Sequence, residues 1–162
     1  MPGEIKAGLG TLIGNAGEYG VMAELLKRGW IAALALRNAP DFNIIATKGE
    51  VDVRIRVKTK SARYDGWHWA SKKDGTIIRR PASTGDFIVL VDLQPEVTRN
   101  DYYIIPTPEL AEWLREDFAL WVATPGKGGR PHDPSNRVII LSLKKHSKRL
   151  EPFKEAWNSL WH

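Results

Sequence analysis

Glu18, Asp41 and Lys58 are the residues of this chain whose types and order could do chemistry. An acid on a helix, an acid at the start of a β-hairpin and a lysine at the end of its second strand are the parts needed to cut a phosphodiester. Two carboxylates hold Mg2+, the ion polarises the phosphate and activates a water, and the lysine stabilises the developing charge. Glu18 shares a helix face with Met22 and Leu25, because residues i, i+4 and i+7 stack on one side. A carboxylate turned toward a core needs a partner or a metal. The plainer reading is an acid that the helix dipole favours near an N-terminus. Lys58 projects from the polar face of its strand, and Arg56 lies two residues earlier on that same face.

The strand that carries Lys58 has the clearest pattern in the chain. Val51, Val53, Ile55, Val57 and Thr59 alternate with Asp52, Arg54, Arg56, Lys58 and Lys60, and period two means one buried and one polar face. Ahead of it, helical spacing of Val21, Met22, Leu25 and Leu26 predicts a helix over 15–27 that stops at Gly29, after an irregular or weakly helical arm over 1–13. Strands are expected over 30–36 and 42–47, with a turn at Lys48-Gly49-Glu50. Residues 61–85 read as a long polar loop with a hairpin around Lys73-Asp74-Gly75, and loops of that length are usually functional or mobile. Strands follow over 87–93 and 102–105. A helix opens at Pro108 and runs to about Trp121, a second loop covers 124–136, a strand 138–143, and a final helix 150–160. The order predicts an α/β fold, one mixed β-sheet flanked by helices, in a single domain over 1–162.

Composition narrows the chemistry. The 162 residues contain no Cys, which excludes a disulfide scaffold, a thiolate zinc site and a cysteine nucleophile. No apolar run approaches the ~20 residues of a membrane helix, and a cytoplasmic protein with no membrane partner is the expectation. Gly8-Leu9-Gly10 lacks the third glycine of a dinucleotide loop, Gly126-Lys127 lacks the P-loop hydroxyl, and the four histidines have no ligand spacing. The net charge of +5 is unevenly spread: nine basic residues between Arg54 and Arg80 face two acids, giving +7 there and leaving −2 elsewhere. Trp67 and Trp69 sit within that stretch. Cations meet phosphates and flat rings meet bases, so Arg54, Lys60, Arg63, Trp67, Trp69, Lys72, Lys73, Arg79 and Arg80 are candidate nucleic-acid contacts. Packing under a loop is the competing reading of the two tryptophans. A second basic cluster, Lys144, Lys145, Lys148 and Arg149, reads equally well as a solvated face.

Three segments together resemble the PD-(D/E)xK nuclease superfamily, with its restriction-endonuclease-like fold. They are Gly17-Glu18-Tyr19-Gly20 with its helix, Pro40-Asp41-Phe42-Asn43-Ile44-Ile45-Ala46, and Ile55-Arg56-Val57-Lys58-Thr59. The resemblance covers roughly residues 14–120, with a C-terminal strand and helix over 136–161 beyond it. It implies a site of Glu18, Asp41, Asn43, Arg56 and Lys58, with Glu18 and Asp41 as metal ligands and Mg2+ as cofactor if the site is active. Two positions depart from the pattern. Arg56 stands where the family has Glu or Gln, and the metal-binding Asp position falls on Asn43. Asn is a neutral, poorer ligand for Mg2+, and Arg56 brings a cation to where a divalent ion should sit. Glu18 is therefore expected to pair with Arg56 or Lys58.

The leading expectation is a nucleic-acid-binding protein of nuclease fold, its partner DNA, with a degenerate metal site. An active Mg2+-dependent endodeoxyribonuclease using Glu18, Asp41 and Lys58, with Arg56 on the phosphate, is the alternative. A non-enzymatic interaction module is the third reading, with Trp113, Trp121, Trp157 and Trp161 forming a homodimer or partner face.

Overall fold

A computed structural model of the chain describes residues 9–36, 39, 41–70, 76, 82–96, 98–134 and 136–161, and of Asn136 only the backbone. Helix α1 (Gly10–Lys27) buries Ile13, Gly17, Val21 and Leu25 along one stripe. It stops because Gly29 takes a positive φ of 78°. The amides of Gly29 and Trp30 then turn back to the carbonyls of Leu26 and Leu25, each at 3.0 Å, closing the last helical turn.

Strands β1 (Ile31–Leu34), β2 (Ile44–Lys48) and β3 (Val51–Lys60) form an antiparallel run, and Lys48 pairs with Val51 across a two-residue turn. Strand β5 (Asp86–Leu93) lies parallel to β3, and β6 (Asn100–Pro106) antiparallel to β5. The main sheet has the order β1-β2-β3-β5-β6. Strand β5 lies inside the sheet, between β3 and β6, and is buried on both faces, which is why Asp86-Phe-Ile-Val-Leu-Val-Asp-Leu93 reads as a nearly unbroken apolar run between two acids.

Each face of the sheet carries its own core. Val21 and Leu25 of α1 pack with Val53, Ile55, Phe87, Val89 and Val91 on one face. On the other, Ile88 and Leu90 meet Trp67, Trp69, Ile139, Leu150 and the residues Leu110, Trp113 and Leu114 of helix α2 (Thr107–Ala123). Alternation along β3 therefore sends Arg54, Arg56, Lys58 and Lys60 to the second face. Helix α2 carries Pro in its first turn, as expected.

Two expectations fail. The segment 61–85 is not all loop: β4 (Gly66–Ala70) pairs antiparallel with β7 (Asn136–Ile140) in a separate two-stranded sheet. Trp67 and Trp69 are buried and His68 is exposed, the alternation of a strand. A side chain at residue 66 would come within 2.4 Å of the Ile139 carbonyl, so only glycine fits there. The hairpin expected around Lys73-Asp74-Gly75 lies outside the described residues.

The helix expected over 150–160 is also absent. Helix α3 (Lys144–Leu150) ends where that helix should begin, and 3-10 turns follow at Glu151–Phe153 and Trp157–Trp161. Pro152 cannot donate the amide that a continuing helix needs. The chain instead pairs Lys154 with Tyr103 of β6, and Glu155 adopts a φ of 53°. The Glu155 carboxylate accepts from the Tyr102 amide at 3.1 Å and from the Trp157 indole at 2.8 Å. Leu150 belongs to one core and Leu160 to the other, so this segment wraps the β6 edge. An exposed edge is thereby covered.

Candidate functional site

Gly17 sets the approach of α1 to β3. A Cβ there would lie 1.8 Å from the Thr59 hydroxyl oxygen, so the helix sits closer to the strand than any side chain would allow. That contact brings the next residue, Glu18, to the place where β2 begins. Asn43 occupies that place, with four hydrogen bonds holding it. Its amide donates to the Ile55 carbonyl at 2.8 Å, and its carbonyl accepts from Ala35 at 2.7 Å. Its side-chain Oδ1 accepts from the Val57 amide at 2.8 Å, and its Nδ2 donates to Glu18 Oε1 at 3.1 Å. Asn43 thus prolongs the β2–β3 ladder with a side chain, one step past the last strand pair.

The Val57 amide fixes which way the Asn43 amide points. Only the oxygen can face an N–H, so the NH2 must face Glu18. Sequence reasoning gave Glu18 a cationic partner, Arg56 or Lys58; the structure gives it this neutral donor. The same orientation bears on the metal. A divalent cation beside Glu18 would meet N–H hydrogens where it needs lone pairs. Among the described residues no three acidic or histidine side chains converge to hold a metal ion. Asp41 is half-buried in the segment leading into β2. The donor set of Glu18 and Asn43 does not fit Mg2+.

Lys58 follows Val57 but points to the opposite face. Its ammonium donates to the His68 carbonyl at 2.8 Å and lies 5.4 Å from the centre of the Trp69 ring. Burial pushes its pKa below the usual lysine range, and the charge of Arg56 adds to the effect.

The parallel register with β5 sorts the four cations of β3. Arg54 stands opposite Asp86 and Lys60 opposite Asp92, whereas Arg56 and Lys58 stand opposite Ile88 and Leu90. Arg54 pairs with Asp86 at 2.7 Å and also reaches the Ser83 hydroxyl at 2.8 Å. Burial alone would raise the Asp86 pKa, but hydrogen bonds from Ser83 and the Arg54 charge bring it below the usual range. Lys60 is buried at 6% exposure, ion-paired with Asp92 and lying over the Trp67 ring. Of the expected nucleic-acid contacts, Lys60 is thus closed off from solvent. Trp67 and Trp69 are core residues at 2% and 5% exposure, and Trp67 donates to the Val91 carbonyl at 3.1 Å. Arg63 is exposed in the turn after β3. Lys72, Lys73, Arg79 and Arg80 lie outside the described residues.

The remaining tryptophans and two residues of the C-terminal basic cluster are also engaged within the chain. Trp113 and Trp157 are buried at 3% each. Trp121 stacks on His132 at 4.2 Å, and Trp161 packs against Trp30 at 5.2 Å. Of the C-terminal basic cluster, Lys145 pairs with Asp117 at 2.7 Å and Arg149 with Glu116 at 2.9 Å.

Sequence reasoning missed the Val57 amide, which no side-chain pattern reveals. It also missed Asp86 and Asp92, although their six-residue spacing matches that of Arg54 and Lys60 and could have suggested the register.

No protein-family model and no curated protein matches the chain. Two solved structures are similar in chain course. The bacterial homing endonuclease I-Ssp6803I matches at 16% identity and a TM-score of 0.49, over 91% of this chain and 88% of that one. Hjc, a Holliday junction resolvase from Archaeoglobus fulgidus, matches at 18% identity and a TM-score of 0.40, over 57% of this chain and 71% of that one. Among the described residues no helix is long and apolar enough to cross a membrane. The five-stranded mixed sheet with helices on both faces is the α/β architecture expected from the sequence.

Proposed function

We propose that this protein binds nucleic acid, with DNA as the partner, through phosphate contacts and without metal-dependent cleavage. The observation that carries the reading is the Asn43 side chain held between the Val57 amide and Glu18. Its NH2 group donates a hydrogen bond to the Glu18 oxygen, which a divalent ion would otherwise need as a ligand. No reaction step is assigned to Mg2+.

The binding side of the reading rests on charge. Residues 54 to 80 carry a net +7, within which Arg54 and Lys60 are paired with Asp86 and Asp92. Arg56 and Arg63 are exposed within it, and Lys58 is half-buried. Such binding is largely independent of sequence and weakens steeply with salt.

Titration of a labelled DNA duplex at several salt concentrations, in EDTA, tests the reading. The wild type should bind with a log–log salt slope of several units, and Arg56→Gln with Arg63→Gln should reduce that slope by roughly two, about one per lost phosphate contact. No measurable affinity at low salt would overturn the reading. So would Mg2+-dependent cutting that Glu18→Ala abolishes.

A further inference from the structure

The end of β3, the β3–β4 connection and the first turns of α1 border a recess of about 330 Å³ that includes Lys58 in its lining. Its volume falls at the small end of the ~300–1,000 Å³ typical of small-molecule sites. One wall is helix backbone: Gly10 and Gly14 lie one turn apart, and a Cβ at either would meet nothing within 4 Å. The opposite wall is formed by the β3 end and β4, with Trp67 beneath and the Tyr64 ring at the rim, 47% exposed.

Two hydroxyls of that lining lack partners. Ser61 is 4% exposed, and its buried Oγ makes no hydrogen bond; the buried Thr59 Oγ1 makes none either. Thr59 Oγ1 lies under Gly17 of α1, so the Ser61 hydroxyl is the orphan beside the recess, and buried polar atoms are normally satisfied. Lys58 has given one of its three N–H groups to the His68 carbonyl and retains donors for an anion.

A cation, a hydroxyl donor and an exposed aromatic ring around a space of this size suit a ligand with one anionic group and one flat ring. We propose that the recess accepts a single unpaired nucleotide of a bound strand, with its phosphate at Lys58 and Ser61 and its base against Tyr64. The proposal rests on the nucleic-acid reading above and adds the unit that is held. Recognition is of a ring and a phosphate, so it tolerates any base. A free mononucleotide has the same chemistry, and the test separates the two sources.

Gly14→Leu fills the recess from its smooth wall and removes no polar group. The wild type should quench or enhance the fluorescence of 2-aminopurine placed in a single-stranded overhang. Gly14→Leu should weaken that response at least about ten-fold, the scale of one lost base stack, while duplex affinity stays within about two-fold. Tyr64→Ala, which removes an exposed ring and leaves the core intact, should do the same by a second route. Unchanged 2-aminopurine responses in both variants would overturn the recess as a nucleotide site. Tight binding of deoxyadenosine monophosphate without any 2-aminopurine response would overturn the strand as its source. Loss of duplex binding by the wild type itself would refute the nucleic-acid reading instead.

Discussion

At the scale of single residues, one amide decides whether a metal fits. Asn43 can face Glu18 only with its NH2, because its oxygen serves the Val57 amide. Replacing it with Asp would keep the bond to Val57 and turn a second carboxylate oxygen toward Glu18. Two carboxylates in contact repel unless a proton or a cation comes between them. Asn43→Asp should therefore melt below the wild type in EDTA and regain stability on adding millimolar Mn2+, by roughly 2.7 kcal/mol at 100 times the dissociation constant. The wild-type melting curve should not respond to the same additions. Melting by circular dichroism with and without Mn2+ checks this, and equal metal responses of the two proteins would contradict the role given to Asn43.

At the scale of elements, the contact between α1 and β3 and the register between β3 and β5 position the site. Gly17→Ala forces a methyl into Thr59 and should destabilise the fold by about 1–3 kcal/mol, as overpacking does. Urea denaturation measures it, and a neutral result would mean that α1 does not need this close approach. The Lys60–Asp92 pair is buried between strands, so Lys60→Met alone strands a carboxylate and should cost about 3–5 kcal/mol. Adding Asp92→Leu should recover most of that loss, because an apolar pair removes both desolvated charges. The same denaturation series reads both variants.

These elements also show what a sequence carries and what it does not. Strand β3 was legible residue by residue, since five apolar positions alternate with five polar ones and nothing else competes. Helix α1 was legible through Val21, Leu25 and the stop at Gly29, but its first turn was not, because Gly10 and Gly14 are poor helix formers that tertiary packing overrides. Strand β4 escaped because its alternation spans only Trp67-His68-Trp69 and its partner β7 lies some 70 residues later. The helix expected over 150–160 had apolar spacing in its favour, yet Pro152 and the pairing of Lys154 with β6 outweigh that spacing. Glu18, Asp41, Asn43, Arg56 and Lys58 were named from the sequence as candidates, and the fold brings Glu18 and Asn43 together while Lys58 points to the opposite face. Their partners were not named, because a backbone amide and a cross-strand register exist only in the folded chain.

At the scale of the whole molecule, the proposed reading rests on the distribution of charge along the sequence. Arg54 and Lys60 meet acids on the adjacent strand and hold the sheet together, and the sequence from residue 54 to 80 carries a net +7. On the reading proposed above, a stretch so charged draws a polyanion in without needing a divalent ion to bridge it. The most direct measurement is the affinity of the wild type for one labelled DNA duplex at fixed ionic strength, in EDTA and in Mg2+, with the strands of the same samples then resolved by denaturing electrophoresis. The account predicts equal affinity in the two buffers and intact strands in both. Affinity that appears only with Mg2+, or strands cut only with Mg2+ and only while Glu18 is present, would contradict it.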